Sequence, residues 1–429
     1  MRRTIKCLLT GLLILSSVSI IHSQNRTSSP FSRYGLGELY PQGFGRNTAM
    51  GGTGIGLRST HYLNNMNPAA YSAADSMSFF FDSGLEGKMQ SFSAPGGSQS
   101  FSDINFDYFA MGFSLGKKGG VLIGLKPASN AGYLFESLQQ ADSEAHLMQI
   151  EGSGNITSFY GGFAYNITPS LSLGINGSFW FGNLKHTAIQ EFVNDPNAYM
   201  YGTKTEHHVS NFMLDFGAQY VLELDRDRSF IFGATFRPKA GINGESSTLT
   251  ARGFSKAIDG ELFVDSDTIS SELNKWSSSI FSMPLKLGLG ASYNIANKLT
   301  LAADYTLEQW ADTNFPDEAT ETTNATYTAL GAEFIPNERT GTKYFHRIRY
   351  RAGLHHKADY IKLNGYQVKD FGMSFGLGLP LGRSKTSVNL GYQFGKIGTS
   401  EKNQLKESYN RFTLSFTMHE AWFFKRKFD

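Results

Sequence analysis

The chain has 429 residues, 14% of them aromatic, and a formal net charge of +2 from 39 basic and 37 acidic side chains. The basic residues are scattered, which excludes the concentrated positive charge of a nucleic-acid-binding protein. After the first two dozen residues there is no cysteine and no run of 18 apolar residues, which excludes disulfides and transmembrane helices.

Residues 1–23 are typical of a secretory signal peptide. Three basic residues and the single cysteine, Cys7, lie at or before the start of an apolar run at residues 8–21, and Ser23 precedes a possible cleavage point at Gln24. That run is shorter than the roughly 20 residues with which a helix crosses a membrane. We therefore expect an exported protein that loses this segment.

Residues 24–76 are rich in Gly, Asn, Ser and Tyr and lack alternation of strand length. A wide barrel cannot fill its interior with wall side chains alone, so we expect this segment to lie in the lumen as a plug. An unstructured periplasmic tail is the alternative, although such tails usually carry more charge. Gly52, Gly54 and Gly56 superficially resemble a phosphate-binding loop, but the strand and helix that must flank such a loop are not predicted.

Residues 77–420 repeat segments of about 10 to 15 residues in which apolar and polar side chains alternate, which indicates β-strands. In one segment, Leu299, Leu301 and Tyr305 share a face and Thr300 and Asp304 share the other. Strands of a soluble β-sandwich usually have about 5 or 6 residues, whereas a tilted transmembrane strand needs roughly 9 to 11. The predicted fold is all-β, a transmembrane β-barrel of about 14 antiparallel strands. The strands are centred near residues 84, 109, 127, 160, 178, 214, 237, 286, 304, 331, 351, 375, 391 and 414.

Short and long connections alternate along these strands. Short ones are predicted at residues 117–119, 168–170, 225–228, 296–298 and 382–385, and long ones at residues 186–204, 248–275, 311–324 and 398–407. Periplasmic turns of such barrels are short and extracellular loops are long, so we expect an integral outer-membrane protein with both termini in the periplasm. Residues 421–429 are expected to form an aromatic and basic tail at the periplasmic interface.

The third predicted strand carries Pro127, Asn130 and Gly132 in its middle. Proline cannot donate to a β-ladder and glycine permits a bend, so this strand should be interrupted. A bulge without a functional role is the alternative.

Three large apolar residues, Trp180, Met213 and Val221, lie on the nominally polar faces of the fifth and sixth strands. Ligand sites are mostly apolar, so these residues are candidates for a pocket. Packing against the plug is the alternative.

Candidate residues for catalysis or metal binding do not form a convincing site. The histidine pairs at residues 207–208 and 355–356 are adjacent, and adjacent residues of a strand point to opposite faces. Asp304, Glu308 and Asp312 could form a carboxylate site, but a wetted lumen wall explains them as well. We therefore expect a protein that is not an enzyme and has no cofactor or metal.

Three motifs stand in residues 43–70: Gly43-Phe-Gly45-Arg46, Ala49-Met-Gly51-Gly52-Thr-Gly54-Ile-Gly56 and Asn67-Pro68-Ala69-Ala70. They resemble the N-terminal hatch of the FadL/TodX family of outer-membrane transporters for hydrophobic compounds, in which the hatch closes a fourteen-stranded barrel. The hatch motif carried over to this chain comprises Gly45, Arg46, Gly51, Gly52, Asn67, Pro68 and Ala69.

The resemblance also implies that a kink in the third strand opens the wall sideways, which assigns Pro127, Asn130 and Gly132 to a lateral opening. The chain departs from the family between residues 57 and 62, where Arg58 stands and the acids common in relatives are missing. A ligand-linked role of acids in this segment is therefore not expected.

The leading functional hypothesis is a channel for passive uptake of small hydrophobic compounds, either long-chain fatty acids or aromatic hydrocarbons. The alternative is a plugged barrel that serves as a docking platform for protein secretion or surface attachment. A general porin is disfavoured because the plug would block it. Expected partners are outer-membrane lipids, a small hydrophobic ligand and, during insertion, the barrel-assembly machinery; the protein is expected to be a monomer.

Overall fold

The structure is a computed structural model that describes most of the chain. The described residues are 27–40, 43–94, 97–141, 144–195, 197–256, 262–263, 266–276, 281–313, 315, 321–337, 342–382, 385–398 and 405–421. The predicted signal peptide and residues 422–429 of the predicted C-terminal tail lie outside them.

These residues form a closed barrel of fourteen antiparallel strands. The strands are β1 Ser78–Ala94, β2 Gly97–Leu115, β3 Gly119–Ala141, β4 Glu144–Asn166, β5 Leu171–Phe192, β6 Met200–Glu223, β7 Arg228–Arg237 with Gly244–Gly253, β8 Asp267–Trp276 with Lys286–Ile295, β9 Leu299–Glu308, β10 Ala325–Phe334, β11 Arg349–Leu363, β12 Tyr366–Pro380, β13 Ser387–Gly398 and β14 Lys406–Ala421. The barrel closes where β14 pairs with β1, from Ser78 opposite Ala421 to Ser93 opposite Lys406. The predicted fold is confirmed, and each predicted centre lies in its strand.

Alternation of polarity explains which side of each strand faces the lumen. On β9, Leu301 and Tyr305 are exposed on the outside, while Asp304 and Thr306 are buried on the inside. The outward apolar face suits a hydrocarbon environment, and the inward polar face contacts the plug and the lumen. None of the helices in the described part of the chain is long and apolar enough to cross a membrane.

We call the end where β1 begins and β14 stops the turn end, and the opposite end the loop end. Two of the predicted long loops at the loop end are mostly strand, because β5 continues to Phe192 and β6 begins at Met200, and β7 and β8 likewise extend into residues 248–275. Threonines on these extensions lie opposite one another, with the hydroxyls of Thr205 and Thr248 3.3 Å apart. Threonine is β-branched and favours strands even where neither face of the strand is apolar. The prediction of long loops at residues 186–204 and 248–275 is therefore wrong.

Both β7 and β8 are interrupted at the same level. Ala240–Gly241 pairs with Ser282–Met283 as a separate two-stranded sheet between the two halves of each strand. This detour brings Ile242, Phe281 and Met283 into the large buried apolar cluster of the lumen.

Residues 27–76 form the plug, inside the barrel. It contains a 3-10 helix at Pro30–Arg33, a short strand at Glu38–Leu39, an α-helix at Gly45–Thr48 and a second 3-10 helix at Pro68–Ala73. Its first described residues lie toward the loop end, where the Ser29 hydroxyl donates a hydrogen bond of 2.8 Å to Glu407 of β14. The predicted N-terminus at Gln24 lies outside the described residues.

Candidate functional site: the plugged lumen and the gap between β2 and β3

The plug is fastened to the wall by the residues predicted as its hatch motif. Gly45 begins the α-helix, and its N–H donates to the hydroxyl of Tyr108 on β2 at 3.2 Å. The guanidinium of the next residue, Arg46, forms two hydrogen bonds with the carboxylate of Glu333 on β10, at 2.8 and 3.2 Å. Both side chains are buried, so this ion pair joins plug and wall away from water.

The glycine turn after this helix is hydrogen-bonded to two other strands. Gly51 has a φ of +70°, and its N–H donates to the hydroxyl of Ser374 on β12 at 2.8 Å. Gly52 has a φ of +81°, a conformation that L side chains adopt at a cost. The N–H groups of Gly54 and Ile55 both donate to the carboxylate of Asp304 on β9, at 2.6 and 2.8 Å. Asp304 is therefore a plug anchor.

The Asn67-Pro68-Ala69 motif supports the last turn of the plug. The Asn67 side chain accepts from the N–H of Ala69 at 3.0 Å and caps the 3-10 helix that begins at Pro68. Its amide donates to the carbonyls of Ile55 at 2.9 Å and of Ala218 on β6 at 3.0 Å. Asn67 and Ala69 are completely buried. The structure thus brings all seven predicted hatch residues into one joint between plug and wall.

The wall meets the plug with glycines whose missing side chains leave room for plug main chain. They are Gly120, Gly174, Gly217, Gly233, Gly290, Gly331 and Gly353, one on each of seven strands. A Cβ atom at Gly331 would lie 2.5 Å from the Met50 carbonyl oxygen, and one at Gly290 would lie 2.6 Å from the nitrogen of Gly56. The plug backbone therefore lies directly against the wall on most sides, a feature that the sequence prediction missed because the alternation pattern treats glycine as neutral.

Arg58, which stands where the resembled family often has acids, ties the turn end of the plug to the wall. Its guanidinium donates to Ser172 of β5 at 3.0 Å, to Gln219 of β6 at 3.2 Å and to Asn166 of β4 at 2.9 Å. Burial lowers the pKa of Arg58 to about 10, so the group stays charged at neutral pH. A cation has a structural role at this position.

Between the plug and the wall lies a cavity of about 260 Å³, lined in part by plug residues from Ser29 to Pro68. Its apolar lining includes Trp180, Met283, Trp310, Tyr360, Ile361 and Val368, and its charged lining includes Lys88, Lys126, Arg237, Glu308, Asp370 and Arg411. Trp310 is completely buried and stacks on Tyr360, with ring centroids 4.4 Å apart. The cavity therefore has an aromatic and aliphatic wall beside a belt of charges.

The structure brings together two of the three residues predicted as an apolar pocket. Trp180 lines the cavity, and Met213 is buried in the same apolar cluster. Val221 points inward but lies opposite Ile231 near the turn end of β6, and it belongs to neither the cavity lining nor the cluster. Alternation of polarity predicted correctly that Val221 faces the lumen. It could not predict how far along the barrel axis Val221 lies from the cavity.

β3 is continuous through the predicted interruption, but its ladder with β2 ends there. β3 pairs with β4 along its length, with a bulge between Pro127 and Ser129, but its pairing with β2 stops at Leu125 opposite Phe109. β2 has its own irregularity at the same level, between Tyr108 and Phe106 in its pairing with β1. Among the described residues, the β-ladder between β2 and β3 therefore covers only the turn-end part of these strands.

The plug takes the place of β2 beside the part of β3 that follows the bulge at Pro127. Glu38 pairs with Asn130 and Leu39 with Ser129, and the N–H of Tyr40 donates to the Ala128 carbonyl at 3.0 Å. Gly132 is tied to the plug as well, because its N–H and carbonyl both bond to the Ser32 hydroxyl. All three residues predicted as a lateral opening thus lie at the gap, two of them in contact with the plug.

An ion network holds this plug strand from the other side of the gap. The Lys88 ammonium of β1 lies 2.8 Å from Glu38 and 3.2 Å from Glu407 of β14. Burial by itself would raise the pKa of Glu38, but the charge of Lys88 and hydrogen bonds from Lys88 and Thr27 outweigh it and lower the pKa to about 2. Sequence reasoning missed this network because its members are far apart in the chain.

The sequence model of one protein family, BamG, matches residues 4–429, which is nearly the whole chain. The chain belongs to the BamG family. None of the curated proteins compared with this BamG-family chain is similar to it in sequence.

Solved structures similar to this BamG-family chain include two toluene transporters. A toluene transporter of Pseudomonas putida, TodX, superposes with a TM-score of 0.60 at 15% identity over 90% of this chain and 100% of its own. The toluene transporter TbuX of Ralstonia pickettii gives 0.55 at 12% identity, over 88% and 98%. A FadL homologue of Pseudomonas aeruginosa gives 0.54 at 10% identity, over 90% and 99%. The resemblance to the FadL/TodX family is confirmed for the fold.

Proposed function

We propose that this protein is an outer-membrane channel for small hydrophobic compounds, which pass between the lumen and the bilayer through the gap between β2 and β3. The observation that carries this proposal is the end of the β2–β3 ladder at the pair Phe109 and Leu125, beside an apolar part of the lumen. An opening in the wall at this place would let an apolar molecule avoid the aqueous compartment on the far side.

The gap adjoins a continuous apolar surface. Ala128 and Ala131 of β3 belong to the same buried cluster as Leu36 of the plug and Trp180 of β5. Apolar surface gains free energy by leaving water, roughly 25 cal/mol per Å², so a hydrophobic compound would favour this route over the charged belt. The downhill partition of the hydrophobic compound would drive its passage, and no other energy source is needed.

A straight route along the barrel axis is unfavourable. Plug main chain lies against wall glycines on seven strands, and buried hydrogen bonds from Arg46, Gly51 and Gly54 fix it there. Axial passage would break these contacts, whereas sideways passage would require movement of the plug segment from Ser32 to Tyr40 alone. This favours a lateral path.

The size of the cavity favours a small compound over a long chain. Its volume of about 260 Å³ is near the lower limit of ordinary ligand pockets, roughly 300 Å³. Toluene is what the similar proteins TodX and TbuX are described as transporting. We propose monoaromatic hydrocarbons as the first substrate class to test, with long-chain fatty acids as the second.

The test is uptake of labelled toluene and of labelled palmitate by liposomes that contain the purified barrel. The double variant Pro127→Val, Gly132→Val should favour regular pairing of β3 and reduce uptake several-fold. Pro336→Val, in the connection between β10 and β11, is the matched control and should leave uptake unchanged. Equal uptake by all three proteins and by empty liposomes would refute the channel.

A second candidate function is a docking platform for other polypeptides. The observation in its favour is that β2 and β3 continue for many residues beyond their last mutual pair, where the described ladders between them and the plug include only Ser129 and Asn130. Specific co-purification of a polypeptide together with absence of compound uptake would support this role over the channel.

A further inference from the structure

We propose that the connection between β10 and β11 binds an anionic phospholipid in the leaflet at the turn end, with two bases on the lipid phosphate and an aromatic ring among the acyl chains. The site is the α-helix Tyr344–Arg347, called the rim helix below, together with Lys343 before it. This inference concerns the outer surface of the barrel. It does not require passage of small compounds through the lumen.

The connection that carries the rim helix is long for its end of the barrel. β10 ends at Phe334 and β11 begins at Arg349, so residues 335–348 join them. The other connections at the turn end are residues 116–118, 167–170, 224–227, 296–298 and 381–386. Two to five residues are enough to join antiparallel strands. The extra length between β10 and β11 therefore needs another reason.

Two hydrogen bonds hold the rim helix at the outer side of the rim. The hydroxyl of Tyr350 donates to the carbonyl of Phe345 at 3.1 Å. Tyr350 is exposed on the outer face of β11, where it stands opposite the exposed Phe334 of β10. The guanidinium of Arg347 donates to the carbonyl of Gly382 in the neighbouring turn. The rim helix therefore adjoins the apolar outer face of the barrel, which contacts lipid.

The aromatic rings of the rim helix are largely uncovered by the protein. Phe345 is 71% exposed, more than any other phenylalanine that the structure describes, and Tyr344 is exposed beside it. A phenyl ring gains free energy by leaving water, and aromatic side chains are enriched at the interface between membrane and water. The acyl chains that cover Phe334 and Tyr350 offer Phe345 an apolar environment next to the helix.

Lys343 and Arg347 are placed to bind one phosphate group. Lys343 precedes the helical turn that Arg347 ends, and residues four positions apart lie on one side of a helix. Lys343 is exposed and forms no ion pair with a described residue. The hydrogen bond from Arg347 to Gly382 uses only one of the five N–H groups of a guanidinium. Both side chains can therefore donate to a bound anion.

The whole connection is basic by sequence. Besides Lys343 and Arg347 it contains Arg339 and a single acid, Glu338, and these two residues lie outside the described part of the chain. Lys and Arg beside a bilayer attract anionic lipids.

Bases beside an exposed apolar ring define the class of the ligand. A free phosphate ion would bind Lys343 and Arg347 but would leave Phe345 in water. A zwitterionic lipid carries its own ammonium close to the phosphate, and this charge repels the two bases. An anionic phospholipid such as phosphatidylglycerol satisfies both parts of the site.

The test measures binding of phosphatidylglycerol to the purified barrel in detergent by native mass spectrometry. The double variant Lys343→Gln, Arg347→Gln should lower the affinity at least tenfold. Its matched control is Lys117→Gln, Lys118→Gln, which removes two exposed bases from the short turn between β2 and β3 and should leave the affinity unchanged. Equal losses in both double variants, or no loss in the first, would overturn the proposal.

Two further ligands separate the lipid from other anions. Phosphatidylethanolamine should bind the unsubstituted barrel at least tenfold more weakly than phosphatidylglycerol. Inorganic phosphate should not displace phosphatidylglycerol. Equal binding of the two lipids, or displacement by phosphate, would show that the site does not select an anionic phospholipid and would overturn the proposal.

Fluorescence locates the aromatic ring without a change of charge, and it decides the question if the double variant does not fold. A Phe345→Trp variant should be quenched in liposomes whose acyl chains carry bromine. Val193→Trp, on the exposed loop-end connection between β5 and β6, is the control and should show no quenching beyond that of the unsubstituted barrel. Absence of quenching at position 345 would place the ring in water or against a polypeptide, and either result would overturn the proposal.

Discussion

Arg46 of the plug and Glu333 of β10 form a buried two-point ion pair, although 287 residues separate them in the chain. Glu333 also receives hydrogen bonds from Arg351 at 2.7 Å and from Arg349 at 3.5 Å. One carboxylate thus pairs with three guanidinium groups at the joint between plug and wall.

Removing this carboxylate should cost more than removing one of its partners. We expect Glu333→Gln to destabilise the barrel by about 3 to 5 kcal/mol, because it leaves buried cations without an anion. Arg46→Ala should cost less, since Arg351 still neutralises Glu333. Thermal unfolding in detergent measures both. Arg228→Ala, which breaks an exposed pair with Asp225, is the control and should leave the unfolding temperature nearly unchanged. Equal effects of all three variants would contradict this account.

Wall glycines that touch the plug should not tolerate a methyl group. A Cβ at Gly353 would press on the main chain of Gly51 and Met50, so Gly353→Ala should destabilise by about 1 to 3 kcal/mol through overpacking. Gly87→Ala is the control, because a Cβ there would have no neighbour closer than 3.9 Å. Protease cleavage within the plug should increase only in the first variant. If Gly353→Ala left the plug as resistant as the control, the wall would be less closely fitted than the structure indicates.

The plug strand should loosen in acid. Since the pKa of Glu38 falls from its ordinary 4.5 to about 2 in the folded protein, its contribution to stability is present above pH 4.5 and is lost as the pH falls from there toward 2. Lys88, Glu407 and Arg411 face the same network from β1 and β14. Hydrogen exchange at Gly37 to Tyr40, corrected for its intrinsic pH dependence, should accelerate below pH 4.5. Glu38→Gln should exchange fast at all pH values; persistence of the pH effect in that variant would assign it to another group.

Trp180 and Val221 were predicted to line one pocket but lie apart in the structure, so their substitutions should differ in their effect on ligand binding. Trp180→Ala removes an aromatic wall of the cavity and should weaken binding of toluene to the purified barrel several-fold by calorimetry. Val221→Ala, near the turn end of β6, should leave binding unchanged. A loss of binding with Val221→Ala and none with Trp180→Ala would place the ligand at the opposite end of the plug.

Alternation of polarity predicted the strands well because burial by the plug on one side and apolar exposure on the other act on every residue of the wall. It failed where the outer halves of β5 to β8 have polar residues on both faces, as at Thr205 and Thr248. There the hydrogen-bonded ladder alone holds the strand, and the sequence has the composition of a loop. The segments at Ile242 and Met283, which leave the wall and pack inside the lumen, were not predicted for the same reason.

The candidate site was predictable only in part. Pro127 marked the bulge in β3 because proline has a local effect on the ladder. Nothing local marked the replacement of β2 by Glu38 and Leu39, since that pairing depends on where the plug lies in three dimensions. The hatch motif was found through resemblance, and its partners Asp304 and Glu333 appeared in the sequence only as polar positions of ordinary strands.

The contact of plug main chain with glycines on seven strands has a consequence for the order of assembly. A segment that fits this closely could not thread into a finished cylinder, because each strand would have to move apart to admit it. The plug, residues 27–76, must therefore be gathered by the strands before β14 reaches β1. The sheet would then close around the plug as a template. Deletion of the plug should therefore impair barrel closure during biogenesis.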